Sequence, residues 1–231
     1  RVLNVSGNRL DSLRGVSGMS NLGALIANEN SVDSLEPCRG MTQLNTIVAS
    51  ANNIEELGDE LTHCTLLAKL SLSHNRIRKI SGGALAGCSA LKELRMAHNR
   101  LRALPPKMAT TNDNLRILDL SHNRFENWGD VAALSGLRRL QQLSLRGCPL
   151  AEQAGYAATA VKMCPGLRAL DGKRVGPTGW LDGGPSPSTT KRDEEDDDDD
   201  DTKNKKKKKH KQHGGGEEDS DDEDETTDEE K

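Results

Sequence analysis

Three histidines recur at one spacing. His74, His98 and His122 stand 24 residues apart, each directly before an asparagine (Asn75, Asn99, Asn123) and two places before an arginine (Arg76, Arg100, Arg124). Imidazoles brought together could ligate a metal or sense pH near neutrality. The arginines, with Arg78, Lys79 and Arg102, would make a basic edge able to meet an acidic partner, RNA phosphate or the chain's own acidic runs. Five cysteines, Cys38, Cys64, Cys88, Cys148 and Cys164, are the remaining candidates for chemistry. They are odd in number, widely spaced and free of any Cys-x-x-Cys pair, so a zinc site is not expected. The sequence has no Walker-type phosphate loop, no G-x-S-x-G elbow and no H-E-x-x-H. Gly214-Gly215-Gly216 stands among charged residues and cradles nothing. No residue is assigned a catalytic, cofactor-binding or metal-binding role. The chain is not expected to be an enzyme, to need a cofactor or to take a small-molecule substrate.

The ladders sit at one place in a repeated unit, and that unit must position them. Its template, L-x-x-L-x-L-x-x-N-x-L, fits Leu22-Leu25-Ala27-Asn30-Val32, Leu44-Ile47-Ala49-Asn52-Ile54 and Leu67-Leu70-Leu72-Asn75-Ile77. It fits again at Leu91-Leu94-Met96-Asn99-Leu101 and Leu115-Leu118-Leu120-Asn123-Phe125. A truncated first copy is Leu3-Val5-Asn8-Leu10, and a seventh is Leu140-Leu143-Leu145-Cys148-Leu150. The L-x-L segment predicts a short strand whose alternate side chains point inward. Each strand should pair in parallel with its counterpart in the next repeat, stacking the leucines into a core that no single repeat could bury. Where the chain leaves the strand, its backbone groups need partners, and an asparagine carries both donors and an acceptor for them. Cysteine fills that slot at Cys148. Short helical turns are expected on the far side, around Asp59-Glu60-Leu61 and Val131-Ala132-Ala133-Leu134.

Over residues 1–175 this pattern resembles the leucine-rich-repeat superfamily. The run Pro165-Gly166-Leu167-Arg168-Ala169-Leu170-Asp171-Gly172 resembles the C-terminal cap of one branch of it. That branch includes the phosphatase-1 regulators, the A′ protein of the U2 small nuclear ribonucleoprotein and the acidic nuclear phosphoproteins. A cap is physically required, because the last repeat would otherwise expose its core and an open strand edge. Repeats four to seven are longer than that branch's, and Leu104-Pro105-Pro106 is closer to a longer repeat class. The layout is also similar to plant and algal repeat proteins with lysine-rich tails. The resemblance implies an α/β solenoid, a curved horseshoe with a parallel concave sheet. It also implies that Ser-His-Asn fills a structural slot. The expected domains are residues 1–150 (about seven repeats), 151–175 (cap) and 176–231 (linker and charged tail).

In such a solenoid the outward strand positions form the binding face. The first repeats offer Val2, Ala24, Ile26, Thr46 and Val48, a contiguous apolar surface of the kind a partner covers. Later repeats offer Lys69, Glu93, Arg95 and Asp119 as charged contacts or a solvated rim. These nine are the candidate partner-binding residues.

The chain's 231 residues carry a formal charge of −4, which conceals two opposite halves. Residues 176–231 hold 21 acidic and 10 basic residues, whereas residues 1–175 hold 22 basic and 15 acidic. Residues 176–190 are rich in Gly, Pro, Ser and Thr, and Trp180 and Leu181 in that linker are candidates to pack on the cap. Acidic runs follow at 193–201 and 217–230, around a lysine block. A segment so poor in apolar residues is expected to stay disordered. Lys205, Lys206, Lys207, Lys208, Lys209 and Lys211 form a candidate nuclear-import signal. Ser220, Thr226 and Thr227 each precede an acid by three residues and are candidate phosphorylation sites. The five cysteines read as reduced thiols of a nuclear or cytoplasmic protein. No signal peptide or apolar membrane span is visible. The chain opens at Arg1 within a repeat, so preceding sequence is expected. The reading is therefore a nuclear, non-enzymatic interaction scaffold or regulatory subunit with a protein partner. The alternative is a protein that associates with basic proteins such as histones, or with nucleic acid, through its tail.

Overall fold

A computed structural model describes residues 1–176. Eleven short strands follow one another: β1 (Val2–Asn4), β2 (Ala24–Ile26), β3 (Thr46–Val48), β4 (Glu56–Leu57), β5 (Lys69–Ser71), β6 (Lys79–Ile80), β7 (Glu93–Arg95), β8 (Ile117–Asp119), β9 (Gln142–Ser144), β10 (Ala169–Leu170) and β11 (Lys173–Arg174). Two helices, α1 (Met108–Thr111) and α2 (Tyr156–Met163), and several 3₁₀ turns lie between them. The main sheet runs β1-β2-β3-β5-β7-β8-β9-β10-β11. It is parallel from β1 to β10, and β11 folds back antiparallel to close it.

The middle residue of each repeat strand is the template's second leucine. Register stacks Leu3, Leu25, Ile47, Leu70, Leu94, Leu118 and Leu143 in one row. All but Leu3, at the open end, are buried. The third-leucine positions Ala27, Ala49, Leu72, Met96, Leu120 and Leu145 form a second buried row. Such stacking buries each repeat only against its neighbours, as a solenoid requires.

The asparagines tie one repeat to the next. Asn75 Nδ2 donates to the carbonyls of Ala49 (3.0 Å) and Leu72 (3.0 Å), while its Oδ1 accepts from the Ile54 N–H (3.0 Å). Asn30, Asn52, Asn99 and Asn123 repeat the arrangement. Cys148 substitutes with its thiol, which donates to the Leu120 carbonyl at 3.3 Å.

Around Asp59-Glu60-Leu61 the far side makes short hydrogen-bonded turns, with the Thr62 N–H donating to the Asp59 carbonyl at 3.2 Å. It departs from expectation in one way. Just before those turns, β4 pairs in parallel with β6 in a second, two-stranded sheet. Leu57 and Ile80 are buried there, while Glu55 and Glu56 reach Arg78 (3.8 Å) and Lys79 (3.5 Å). Val131–Leu134 does form a helical turn, inside a 3₁₀ run over Trp128–Gly136 that breaks at Val131.

At the C-terminal end α2 lays Tyr156 and Ala160 inward, and Leu167 and Leu170 complete the cover over the seventh repeat. The charged tail lies outside the described residues. So do Trp180 and Leu181, the lysine block Lys205–Lys209 with Lys211, and Ser220, Thr226 and Thr227.

Candidate protein-binding face

The outward strand positions fall into two rows. Register aligns Val2, Ala24, Thr46, Lys69, Glu93, Ile117 and Gln142 in one. It aligns Asn4, Ile26, Val48, Ser71, Arg95, Asp119 and Ser144 in the other. The nine candidate residues all stand in these rows. Strand pairing brings successive members within ~5 Å of each other.

The apolar end is less open than its composition suggests. Val2 on the edge strand is 70% exposed, but Ala24, Ile26, Thr46 and Val48 are each half-buried between neighbouring strands. They present a low, firm surface rather than protruding side chains. Such a surface loses little side-chain entropy when covered.

The charged end is largely self-paired. Glu93 Oε1 meets Lys69 Nζ at 3.1 Å and Arg95 Nε at 2.6 Å. Partial burial pushes the Glu93 carboxyl up, but the hydrogen bonds from Arg95 and Lys69 outweigh it and hold the group below its ordinary range. Asp119 accepts from the Ser121 hydroxyl at 2.6 Å and its N–H at 3.1 Å. These groups offer positioned hydrogen bonds rather than a net field.

Beside these rows runs a polar rail that composition did not announce. The Asn28 N–H donates to Ser6 Oγ (3.1 Å), the Ser50 N–H to Asn28 Oδ1 (2.8 Å), and the Ser50 and Ser71 hydroxyls are 3.0 Å apart. Past it comes a row of left-handed residues. Gly7, Glu29, Ala51, His74, His98, His122 and Gly147 all have φ between +53° and +73°. Each is where the strand turns away and the ladder asparagine or cysteine follows, buried from Asn52 to Cys148 and more open at Asn8 and Asn30. Histidine tolerates this conformation better than most residues, so the backbone alone supplies a reason for the histidine ladder.

The three imidazoles are exposed and stacked, with centroids 4.2 Å apart and ring planes 13° and 15° from parallel. Ring nitrogens lie in the ring planes. Parallel planes at this spacing cannot all aim lone pairs at one ion about 2 Å from each. His98 is held below the ordinary imidazole range by partial burial and then by His74 and His122, with Asp119 opposing. Among the described residues no group of three or more His, Cys, Asp or Glu is placed to hold a metal.

All five cysteines are buried and free. Burial pushes the thiols of Cys38 and Cys88 up to about 12 and that of Cys164 to about 11. The Cys64 and Cys88 thiols donate to the carbonyls of Met41 (3.6 Å) and Leu61 (3.4 Å) in preceding repeats. Protonated and enclosed, they are packing groups rather than nucleophiles.

These features define a repeat protein with a structured strand face and a packed interior. The model of the leucine rich repeat family matches residues 42–101 and 89–150, and over this span the chain is built of leucine-rich repeats. It is similar to the crystal structure of an internalin from Listeria monocytogenes, with a TM-score of 0.56 and 21% identity. The match covers 73% of this chain and 53% of the internalin, so the chain spans about half of that protein's length. At this identity the likeness concerns the fold alone. No curated protein sequence shows significant similarity to the chain. Among the described residues no helix is long and apolar enough to cross a membrane.

Proposed function

We propose that the chain is a non-enzymatic, nuclear protein-binding scaffold or regulatory subunit that takes a protein partner on its main sheet. The observation that carries this reading is the register of Val2, Ala24, Ile26, Thr46 and Val48. They form one apolar strip on the outward face of β1, β2 and β3, apart from the leucine core. Lys69, Glu93, Arg95 and Asp119 continue the strip as a fixed set of polar contacts, the arrangement of an apolar centre with a polar rim. A cap helix following seven repeats favours the branch that includes the phosphatase-1 regulators and the U2 A′ protein. The lysine block at 205–211 favours the nucleus over the cytoplasm.

The test is affinity capture from nuclear extract with the full chain and with an Ile26→Asp/Val48→Asp variant whose circular dichroism and melting match the parent. Loss of a specific protein from the variant's eluate supports the reading. Identical eluates overturn it. A second reading rests on the acidic runs at 193–201 and 217–230, which would hold basic proteins or compete for nucleic-acid sites through charge. It predicts material that survives the double substitution and elutes at moderate salt.

A further inference from the structure

The lateral edge, where each strand ends and the chain crosses to the far side, gathers most of its basic residues in the fourth to sixth repeats. Three residues past each ladder asparagine stand Asp11, Asp33 and Glu55 in the first three repeats, then Arg78 and Arg102, then Glu126 in the sixth. Directly after the asparagine come Arg9, Ser31 and Asn53 in the first three repeats, then Arg76, Arg100 and Arg124 in repeats four to six. Backbone bonds hold these last three in step. The Arg76 N–H donates to the Ile54 carbonyl (2.9 Å), Arg100 to Ile77 (2.8 Å) and Arg124 to Leu101 (2.8 Å). Glu55 and Arg78, 3.8 Å apart, mark where this basic stretch begins.

Among the described residues Arg76, Arg100, Arg124 and Arg102 form no ion pair. Arg100 is half-buried and the others are exposed. Their backbones are held at the repeat spacing, so their like charges are gathered along one edge, and a ligand of opposite charge would relieve the resulting repulsion. We propose that this edge docks a short acidic segment of a partner protein, a run of about four Asp or Glu residues. Three adjacent repeats span ~10 Å, which an extended peptide at ~3.3 Å per residue covers in about three steps. The planar guanidinium matches a carboxylate through two parallel hydrogen bonds.

A nucleic acid fits less well. Its affinity grows with the number of phosphates neutralised, yet the basic strip is bounded by Glu55 on one side and Glu126 on the other. The edge is also distinct from the apolar strand rows, so this proposal stands apart from the concave-face reading.

The experiment is fluorescence anisotropy at ~50 mM salt with a labelled peptide carrying four consecutive aspartates between neutral flanks. Its Asn counterpart and a single-stranded RNA of matched length serve as comparisons. Two forms of the full chain are used: the native one, and one whose acids at 193–201 and 217–230 are changed to amides so that the chain's own acidic runs do not compete. The expected result is binding of the aspartate peptide by both forms, with no binding of the Asn peptide. An Arg76→Ser/Arg100→Ser/Arg124→Ser variant should bind at least tenfold more weakly, and Lys107→Ser/Arg116→Ser should bind as the parent does. Equal affinity in the triple variant, tighter binding of RNA, or no binding by either form overturns the proposal. Binding by the amide form alone overturns the assignment to a separate partner. Matched melting curves for the variants exclude misfolding as the cause of a loss.

Discussion

The hydroxyl of Tyr156 donates to Oδ2 of Asp171 at 2.9 Å, and Oδ1 of the same carboxylate accepts the backbone N–H of Leu145 at 2.8 Å. One side chain thus fastens the cap helix to the last repeat strand, at a residue whose own φ is +52°. Burial, and then the charge on Asp171, push the Tyr156 phenol far up, so it remains a donor. Removing the carboxylate in Asp171→Ala leaves three donors (Tyr156, Leu145 and Ser144) to find other partners and places an alanine in a left-handed conformation. Its expected cost is ~3 kcal/mol, against ~1 kcal/mol for Tyr156→Phe, which loses one hydrogen bond. Urea unfolding measures both. An Asp171→Ala variant no less stable than Tyr156→Phe would show that the carboxylate is not the fastening point.

This fastening was not legible in the sequence, for a physical reason. The template leucines announce themselves because every strand must turn the same positions into a shared core, so Leu25, Leu70 and Leu118 carry a common identity. The left-handed row shares only a backbone conformation. Glu29, Ala51, His74 and Gly147 all satisfy it, and no residue type marks it. Asp171 and Tyr156 are 15 residues apart and belong to no repeated unit, so nothing periodic joins them. The outward strand residues follow from strand alternation, but their degree of shielding does not. Half-burial of Ile26 and Val48 depends on what β1 and β5 carry beside them.

The asparagine ladder should be far more costly to break inside the stack than at its end. Asn99 donates to the carbonyls of Leu72 (2.9 Å), Met96 (3.1 Å) and Ala97 (3.2 Å), and accepts from the Ile77 N–H (2.9 Å). Asn8 reaches only the carbonyls of Val5 and Ser6 in its own repeat, and is exposed. Asn99→Ala orphans buried backbone groups and should cost ~3 kcal/mol or more, while Asn8→Ala should cost under ~1 kcal/mol. Chemical denaturation of the two variants decides this. Similar losses would mean that the asparagines do not act through inter-repeat bonding.

Gly147 closes the histidine stack. It has φ +73°, and a Cβ there would collide with the His122 ring at Nδ1, so the imidazole rests on the glycine. Gly7 occupies the equivalent place in the first repeat at φ +66°, where an added methyl would meet nothing within 4 Å. Both Gly→Ala changes carry the left-handed penalty of ~1–2 kcal/mol, but only Gly147→Ala must also displace His122. Gly147→Ala should therefore be the more destabilising, by ~1 kcal/mol. Replacing His122 with alanine in the same chain should abolish the difference. Thermal melts of the four variants read it directly, and equal melting for the two glycine variants would remove His122 from the account.

The stacked imidazoles should also leave a signature in the pH dependence of stability. Partial burial, and then the neighbours His74 and His122, disfavour the charged form of His98, so its folded value lies below the 6.5 of the free group. The unfolded chain therefore binds the proton more readily. The contribution is fully present above pH 6.5 and is lost as pH falls below it toward the depressed folded value. Melting temperature should drop between about pH 7.5 and about pH 5.5 by more in the parent than in His98→Asn, whose side chain also tolerates a positive φ but does not titrate. Two-dimensional NMR of the imidazole protons gives the His98 titration directly. A midpoint above 6.5, or an identical pH dependence in His98→Asn, would mean that stacking does not govern the protonation of this ladder.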